Sequence, residues 1–108
     1  MLKERRLEYT RTAVENLDDI FQTVLSVSSS EKIATNIVKS IGNDIRKLQY
    51  NVTLGRPLSA VLNLESELTY YRLVSGKYIV IYEFDAEVIT VDLIVWGKMD
   101  YIATLFNV

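Results

Sequence analysis

Apolar residues in the first half of the chain recur at the spacing of amphipathic helices. One stripe lies between residues 13 and 27, and a second lies between residues 30 and 49. In each stripe the apolar residues are three or four positions apart, so they share one helical face. Thr12 and Glu15 have the spacing of a capping box, and the segment Ser28-Ser29-Ser30-Glu31 offers a second one. The pattern predicts two helices, and their short connector predicts an antiparallel hairpin.

The second half of the chain has the patterns of β-strands. Three runs rich in β-branched and aromatic residues cover residues 69–74, 78–82 and 88–96, and short turn-forming pairs separate them. The middle run is almost wholly apolar, as expected of a central strand buried on both faces. The last run alternates, and its predicted apolar face consists of Ile89, Val91, Leu93 and Val95. Together the runs predict a three-strand antiparallel meander.

The remaining segments complete the predicted fold. Residues 2–9 alternate and predict a first strand, with Leu7 and Tyr9 toward the core. Residues 51–57 predict a loop, because they hold a glycine and the single proline, whereas residues 58–68 fit neither period. The order of strand, two-helix hairpin and meander predicts an α+β fold, with the hairpin on one face of the sheet. With 108 residues, the chain is predicted to form a single domain.

The composition limits the chemistry. The chain has no cysteine and no histidine, which excludes the ordinary serine–histidine and cysteine–histidine mechanisms and leaves only carboxylates for a zinc ion. No metal site and no cofactor are therefore predicted. The formal net charge of −2 disfavours a nucleic-acid partner, because binding phosphates needs cations. No export signal and no apolar run of membrane length is visible, so a soluble cytoplasmic protein is predicted.

Three segments near the end of the chain carry a resemblance to a known family. They are Tyr71-Arg72-Leu73-Val74, Gly76-Lys77-Tyr78-Ile79-Val80-Ile81-Tyr82 and Gly97-Lys98-Met99-Asp100-Tyr101. With Ala13 at the head of the first helix and the turn around Gly55, this set resembles the RelE/ParE superfamily of bacterial toxins over nearly the whole chain. The resemblance implies the fold described above. It also implies the toxin of a type II toxin–antitoxin system, neutralised by a cognate antitoxin that wraps around it.

The resemblance implies one of two targets. RelE-like members cut messenger RNA on the ribosome, whereas ParE-like members poison DNA gyrase. The nucleases commonly carry an arginine after the first tyrosine of the central strand, where this chain has Ile79. They often add a histidine or extra basic residues near the C-terminus, where this chain offers Lys98, Asp100 and Tyr101. The resemblance is therefore closer to ParE-like members, and gyrase is the predicted target. The alternatives are a metal-independent, ribosome-dependent endoribonuclease and a non-toxic relative that only binds its partner.

Two sets of site residues follow from these hypotheses. A nuclease needs a phosphate clamp, a base and further charge, and the candidates are Arg72, Lys77, Glu83, Lys98 and Tyr101. Each also has an ordinary structural explanation, since a strand arginine often pairs with a carboxylate and a lysine beside a turn is usually solvated. Apolar surface left uncovered by a single hairpin is predicted to bind the antitoxin. Its candidates are Leu58, Val61, Leu62, Leu64, Tyr101, Leu105 and Phe106.

Overall fold

The computed structural model describes residues 4–61 and 70–98, and it has the predicted order of a strand, a helix hairpin and an antiparallel meander. A short 3-10 turn, Lys47–Gln49, continues the second helix. The elements are β1 (Arg6–Tyr9), α1 (Arg11–Ser28), α2 (Glu31–Arg46), β2 (Arg56–Pro57), α3 (Leu58–Val61), β3 (Tyr71–Ser75), β4 (Tyr78–Phe84) and β5 (Val88–Trp96). The predicted α+β class is therefore confirmed. The two-residue strand β2 was not predicted, because a glycine and a proline made its segment look like a loop.

The five strands form one sheet in the order β1-β5-β4-β3-β2. Only the β1–β5 pair is parallel, and the other neighbours are antiparallel. The hairpin of α1 and α2 packs on one face, which we call the helix face. The main core lies there, between Ala13, Ile20, Ile41 and Ile45 of the helices and strand residues that include Val80, Tyr82 and Ile94. Leu7 and Tyr9 pack against this core, as the alternation in the first strand predicts.

Helix α1 begins two residues earlier than the sequence pattern predicts. Thr10 is its N-cap, and the Thr10 side chain accepts a hydrogen bond from the Ala13 N–H at 3.1 Å. The same threonine is held by β5, because its N–H donates to the Val91 carbonyl (3.0 Å) and its hydroxyl donates to the Asp92 carbonyl (3.1 Å). The predicted capping box at Thr12 is therefore wrong. Contacts with the sheet fix the strand-to-helix switch at Thr10, and a local sequence pattern does not reveal them. Helix α2 starts close to its predicted beginning, within the predicted capping segment, and its N-cap is Ser30, whose hydroxyl accepts from the Ile33 N–H.

A buried tyrosine holds the loop that leads into β2. Tyr82 is fully buried on the helix face, and its hydroxyl donates to the Val52 carbonyl at 2.7 Å and accepts from the Gly55 N–H at 3.1 Å. Burial raises the pKa of Tyr82 to about 12, so the hydroxyl stays a donor at any physiological pH. The loop lies so close that a side-chain carbon on Gly55 would stand 2.6 Å from the Arg72 carbonyl oxygen. Any side chain at position 55 would therefore collide with neighbouring atoms, so this position requires glycine.

Strand β5 changes the face that its side chains occupy at Asp92. Tyr82 pairs with Val91 and Ile81 pairs with Leu93, so Asp92 is an extra residue, a β-bulge. Ile89 and Val91 therefore face the helices, whereas Leu93 and Val95 pack on the opposite face of the sheet. The prediction that these four residues share one face is wrong, because an inserted residue reverses strict alternation.

The face of the sheet away from the helices, which we call the second face, carries a smaller apolar cluster. It consists of Leu58, Ile79, Ile81, Leu93 and Val95, with Tyr70 packed against it. Strand β4 is thus buried on both faces, as predicted. Leu58 is fully buried in this cluster, so its predicted place on an exposed antitoxin-binding surface is wrong. The reason is that α3 follows β2 directly and turns Leu58 onto the sheet.

Replacing Gly55 by alanine is expected to lower the free energy of unfolding by about 1–3 kcal/mol, because the new methyl group collides with the Arg72 carbonyl and the Tyr82 hydroxyl. Gly42→Ala is the matched control. Its new carbon meets only the end of the Arg46 side chain at 3.9 Å, so a gain of up to about 1 kcal/mol is expected from helix propensity. Urea unfolding of both variants measures the difference. Equal stability of the two variants would contradict the close approach at Gly55.

Candidate functional site

The residues predicted for an RNA-cleaving site lie at two separate ends of the sheet. Arg72 pairs with Ile81, and Glu83 lies two residues further along β4, so both side chains belong to the second face. Lys77 lies in the β3–β4 turn, and Lys98 follows β5 at the same end, where the Gly97 N–H donates to the Lys77 carbonyl. Six residues of extended strand separate Lys77 from Glu83, roughly 20 Å. The structure therefore brings Arg72 and Glu83 to neighbouring strands, but it does not bring the lysines to them.

A pair of carboxyl groups occupies the second face beside the bulge. Burial, followed by a hydrogen bond with Glu83 and its charge, raises the pKa of Asp92 to about 7. The Asp92 Oδ2 atom is buried and receives no hydrogen bond from an N–H or O–H group of the residues described. A protonated Asp92 can instead donate to Glu83, which explains why the neutral form is favoured. Tyr70 completes this polar group, and its pKa is raised by burial and then by the two carboxyl groups.

An open groove separates α1 from the C-terminal half of β5; we call it the β5 groove. Its volume is about 420 Å³. The apolar residues that line it are Ile20, Tyr78, Ile94, Val95 and Trp96, and the polar ones are Asn16, Asp19 and Thr23. Trp96 is half exposed, with the Lys98 ammonium 5.7 Å from its ring centre. The groove exists because the bulge turns Ile94 and Trp96 toward the helix face.

The β5 groove adjoins an unpaired strand edge. Strand β1 ends at Tyr9, opposite Val91, so the rest of β5 has no described strand on that side. The Asn16 side chain takes the place of a strand at one point, because its oxygen accepts the Ile94 N–H at 3.0 Å. Backbone N–H groups alternate along a strand, and the Trp96 N–H therefore points to the same open side. Such an edge can pair with an added strand.

The opposite edge of the sheet carries a cationic pocket of about 390 Å³, which we call the edge pocket. Its lining is Asp44, Lys47, Leu54, Gly55, Arg56, Arg72, Leu73 and Val74. The lining thus contains three cationic residues and one acidic residue. Both oxygens of Asp44 are engaged, since Oδ2 accepts from the Ser75 hydroxyl at 2.7 Å and Oδ1 from the Lys47 ammonium at 3.2 Å. The Ser75 hydrogen bond is the main cause that holds the pKa of Asp44 below its usual value.

Most of the predicted antitoxin-binding residues lie outside the described part of the chain. Leu62, Leu64, Tyr101, Leu105 and Phe106 are among them, and Tyr101 was also a nuclease candidate. Val61 is the last residue of α3. These positions remain predictions.

Two general findings limit the chemistry of the described chain. Within residues 4–61 and 70–98, no three carboxylate, cysteine or histidine side chains come together as they would around a metal ion. No described helix combines the length and the apolar character that crossing a bilayer requires.

Sequence reasoning missed Asp92, Trp96 and Arg56 as surface or site residues. Asp92 did leave a signal, because it breaks the alternation of β5 and four apolar residues follow it directly. That pattern is expected at a bulge within a buried strand. Arg56 left no signal, since its neighbours come from α2 and β3, far away in the sequence.

The pKa of Asp92 predicts a stability that falls as pH rises. Because the folded pKa of about 7 exceeds the ordinary value of 3.8, the folded protein keeps a proton that the unfolded chain has already lost, and stability decreases between pH of about 4 and about 7. Asp92→Asn, which keeps the neutral form, is expected to remove this part of the slope. Asp18→Asn, at an exposed site on α1, is the control and should leave the slope of stability against pH unchanged. Urea unfolding across this pH range tests this, and equal slopes for wild type and Asp92→Asn would refute it.

Comparison with known proteins gives a family and two structural relatives. The model of the ParE toxin of the type II toxin–antitoxin system parDE matches residues 7–101. The fold is similar to a chain of the chromosomal ParDE toxin–antitoxin system from P. aeruginosa, with a TM-score of 0.70 and 22% identity, covering 88% of this chain and 98% of that one. It is also similar to a chain of the RelBE2 toxin–antitoxin complex from Mycobacterium tuberculosis, with a TM-score of 0.57 and 16% identity, covering 87% and 99%.

A search among curated proteins gives no significant match. At these identities the two solved structures establish a shared fold and no more. The family match carries the assignment, because it spans most of the chain, from the middle of β1 to beyond β5. This protein therefore belongs to the ParE family of toxins of type II toxin–antitoxin systems.

Proposed function

We propose that this toxin inhibits growth by binding DNA gyrase, and that a cognate antitoxin neutralises it. The observation that carries the choice of target is Ile79. It is 6% exposed and lies in the second-face cluster beside Ile81 and Val95. The resemblance implies an arginine at this position in the nuclease members. Here the same position supplies apolar packing, so position 79 lacks the cation that would stabilise the pentavalent phosphate of RNA cleavage.

An antitoxin partner is supported by the two similar structures, one of a ParDE system and one of a toxin–antitoxin complex. The β5 groove is the described surface best suited to receive it. An extended segment can pair with the open edge at Trp96 and place alternate apolar side chains over Ile20 and Ile94. The sequence-predicted contacts in residues 61–64 and 101–106 belong to the same proposal.

RNA cleavage is a second candidate because of one observation. The carboxyl of Asp92, with a pKa raised to about 7, has the proton affinity suited to a general base or acid near neutral pH. Arg72 is on the same face of the sheet, two strands away. This candidate predicts new messenger 5′ ends on induction.

Purified gyrase distinguishes the two candidates. The toxin is expected to inhibit DNA supercoiling and to stabilise cleaved DNA complexes, while the messenger pool stays intact in induced cells. An Asp92→Asn variant should retain the gyrase effect, because a binding toxin needs no proton transfer there. New messenger ends, lost in Asp92→Asn and accompanied by unchanged supercoiling, would replace the gyrase proposal by the nuclease. Unaffected growth on induction would refute both.

Truncating Trp96 tests the place of the antitoxin. Trp96→Ala is expected to weaken binding of the co-purified antitoxin by about 2 kcal/mol or more, as for an aromatic anchor in an interface. Val27→Ala is the matched control, since Val27 is also an exposed apolar residue, 83% exposed near the end of α1. Calorimetric titration measures both affinities. Equal affinity for the two variants would remove the β5 groove from the interface.

A further inference from the structure

The edge pocket combines positive charge with apolar surface and an open strand edge. Lys47 comes from the turn after α2, and Arg56 comes from β2. Both residues are exposed. Beside them, Leu54 and Val74 are 46% and 56% exposed. Together they offer a partner both apolar contact and charge, and protein interfaces combine these two kinds of contact.

The acidic residue in the lining of this pocket does not pair with Arg56. Asp44 is the single acid in the lining, and the Ser75 hydroxyl and the Lys47 ammonium already occupy its two oxygens. Among the described residues, Arg56 has no carboxylate within ion-pair distance. Its nearest register partner across the strands is Arg72, another cation. An incoming carboxylate would therefore meet Arg56 with its donors available.

On its side away from β4, the end of β3 beside the pocket has no strand partner within residues 4–61 and 70–98. The Leu58 N–H donates to the Tyr70 carbonyl, so the backbone N–H and C=O of Tyr70 point toward β2. Because this direction repeats every second residue along a strand, the backbone groups of Arg72 point toward β2 as well. The next residue with the same direction is Val74. It lies beyond the end of β2, where the Leu54 N–H bonds to the Asn51 carbonyl instead. The N–H and C=O of Val74 thus face an edge without a described strand neighbour.

We propose that the edge pocket binds an extended acidic segment of a partner protein. The segment pairs with the backbone of Val74, places apolar side chains against Leu54 and Val74, and sets a carboxylate between Arg56 and Lys47. The proposal rests on the proposed function only in assuming a protein partner. It adds a second contact surface, on the opposite edge of the sheet from the β5 groove, and it specifies the sign of the partner's charge.

A nucleic acid is the competing occupant, and the site fits it less well. A phosphate backbone gains its affinity from many cations spread along a groove. This chain has a net charge of −2, and the pocket offers three cations beside exposed leucine and valine. A carboxylate can accept two hydrogen bonds from a single guanidinium, which suits the isolated position of Arg56.

The test uses a short peptide of alternating leucine and glutamate, with a peptide in which glutamine replaces glutamate and a short RNA as comparisons. Binding to the purified chain is measured by calorimetry. The glutamate peptide is expected to bind about tenfold more tightly than the glutamine peptide, and this advantage should shrink at high salt. Arg56→Gln and Lys47→Gln should each remove most of the affinity advantage of the glutamate peptide. Lys39→Gln, at an exposed site on α2, is the matched control and should keep that advantage.

Urea unfolding of each variant checks that the fold is kept. Equal binding of the two peptides, or an effect of Lys39→Gln as large as that of Arg56→Gln, would overturn the proposal. RNA that binds more tightly than the glutamate peptide and depends on Arg56 would replace it by a nucleic-acid site. The gyrase experiment is independent: a chain that binds the acidic peptide but leaves supercoiling unchanged would refute the proposed target and leave the edge pocket standing.

Discussion

The β-bulge at Asp92 is the constraint on which the candidate surfaces of this protein depend. One inserted residue reverses the facing of β5, so that its first half packs Ile89 and Val91 on the helices and its second half packs Leu93 and Val95 on the second face. The same reversal turns Trp96 to the helix side and opens the β5 groove. It also leaves a carboxyl group partly buried beside Glu83, where only its neutral form is well accommodated. The packing of β5, the β5 groove and the raised pKa of Asp92 thus all result from the bulge.

Local structure at both ends of the helix hairpin is decided by contacts with the sheet. Thr10 caps α1 while its backbone and hydroxyl are bonded to β5, and Tyr82 reaches from β4 to hold the loop before β2. These contacts join residues about 80 and 30 positions apart. They leave no room for a side chain at Gly55. Because the Tyr82 hydrogen bonds hold the loop in place, the fold tolerates little change in the loop. The same hydrogen bonds limit the length of β2.

The fold class could be predicted from the sequence because it depends on periodicity, and periodicity is local. The helix stripes, the start of α2 in the serine-rich segment and the doubly buried strand β4 are all confirmed. The parallel contact of β1 with β5, the bulge and the burial of Leu58 depend on which strands meet, which one sequence does not reveal. The candidate site was the part predicted least well, because its residues come together only through such long-range contacts. Arg72 and Glu83 were candidates from the sequence, but Arg56, Lys47 and Asp44 line one pocket only because of the sheet order.

The lengths of the strands explain why, among the described residues, both edges of the sheet are incompletely paired. The inner strands β5 and β3 have 9 and 5 residues, whereas their outer neighbours β1 and β2 have 4 and 2. Inner strands therefore extend past their outer neighbours, and their unpaired backbone groups need other partners or water. At the β5 edge a side chain satisfies one such group, because the Asn16 oxygen accepts the Ile94 N–H. This hydrogen bond does not cover the whole edge. Short outer strands limit uncontrolled pairing between copies, and the stretches that remain open, at Trp96 and Val74, are short enough to require a partner with matching side chains as well as a matching backbone.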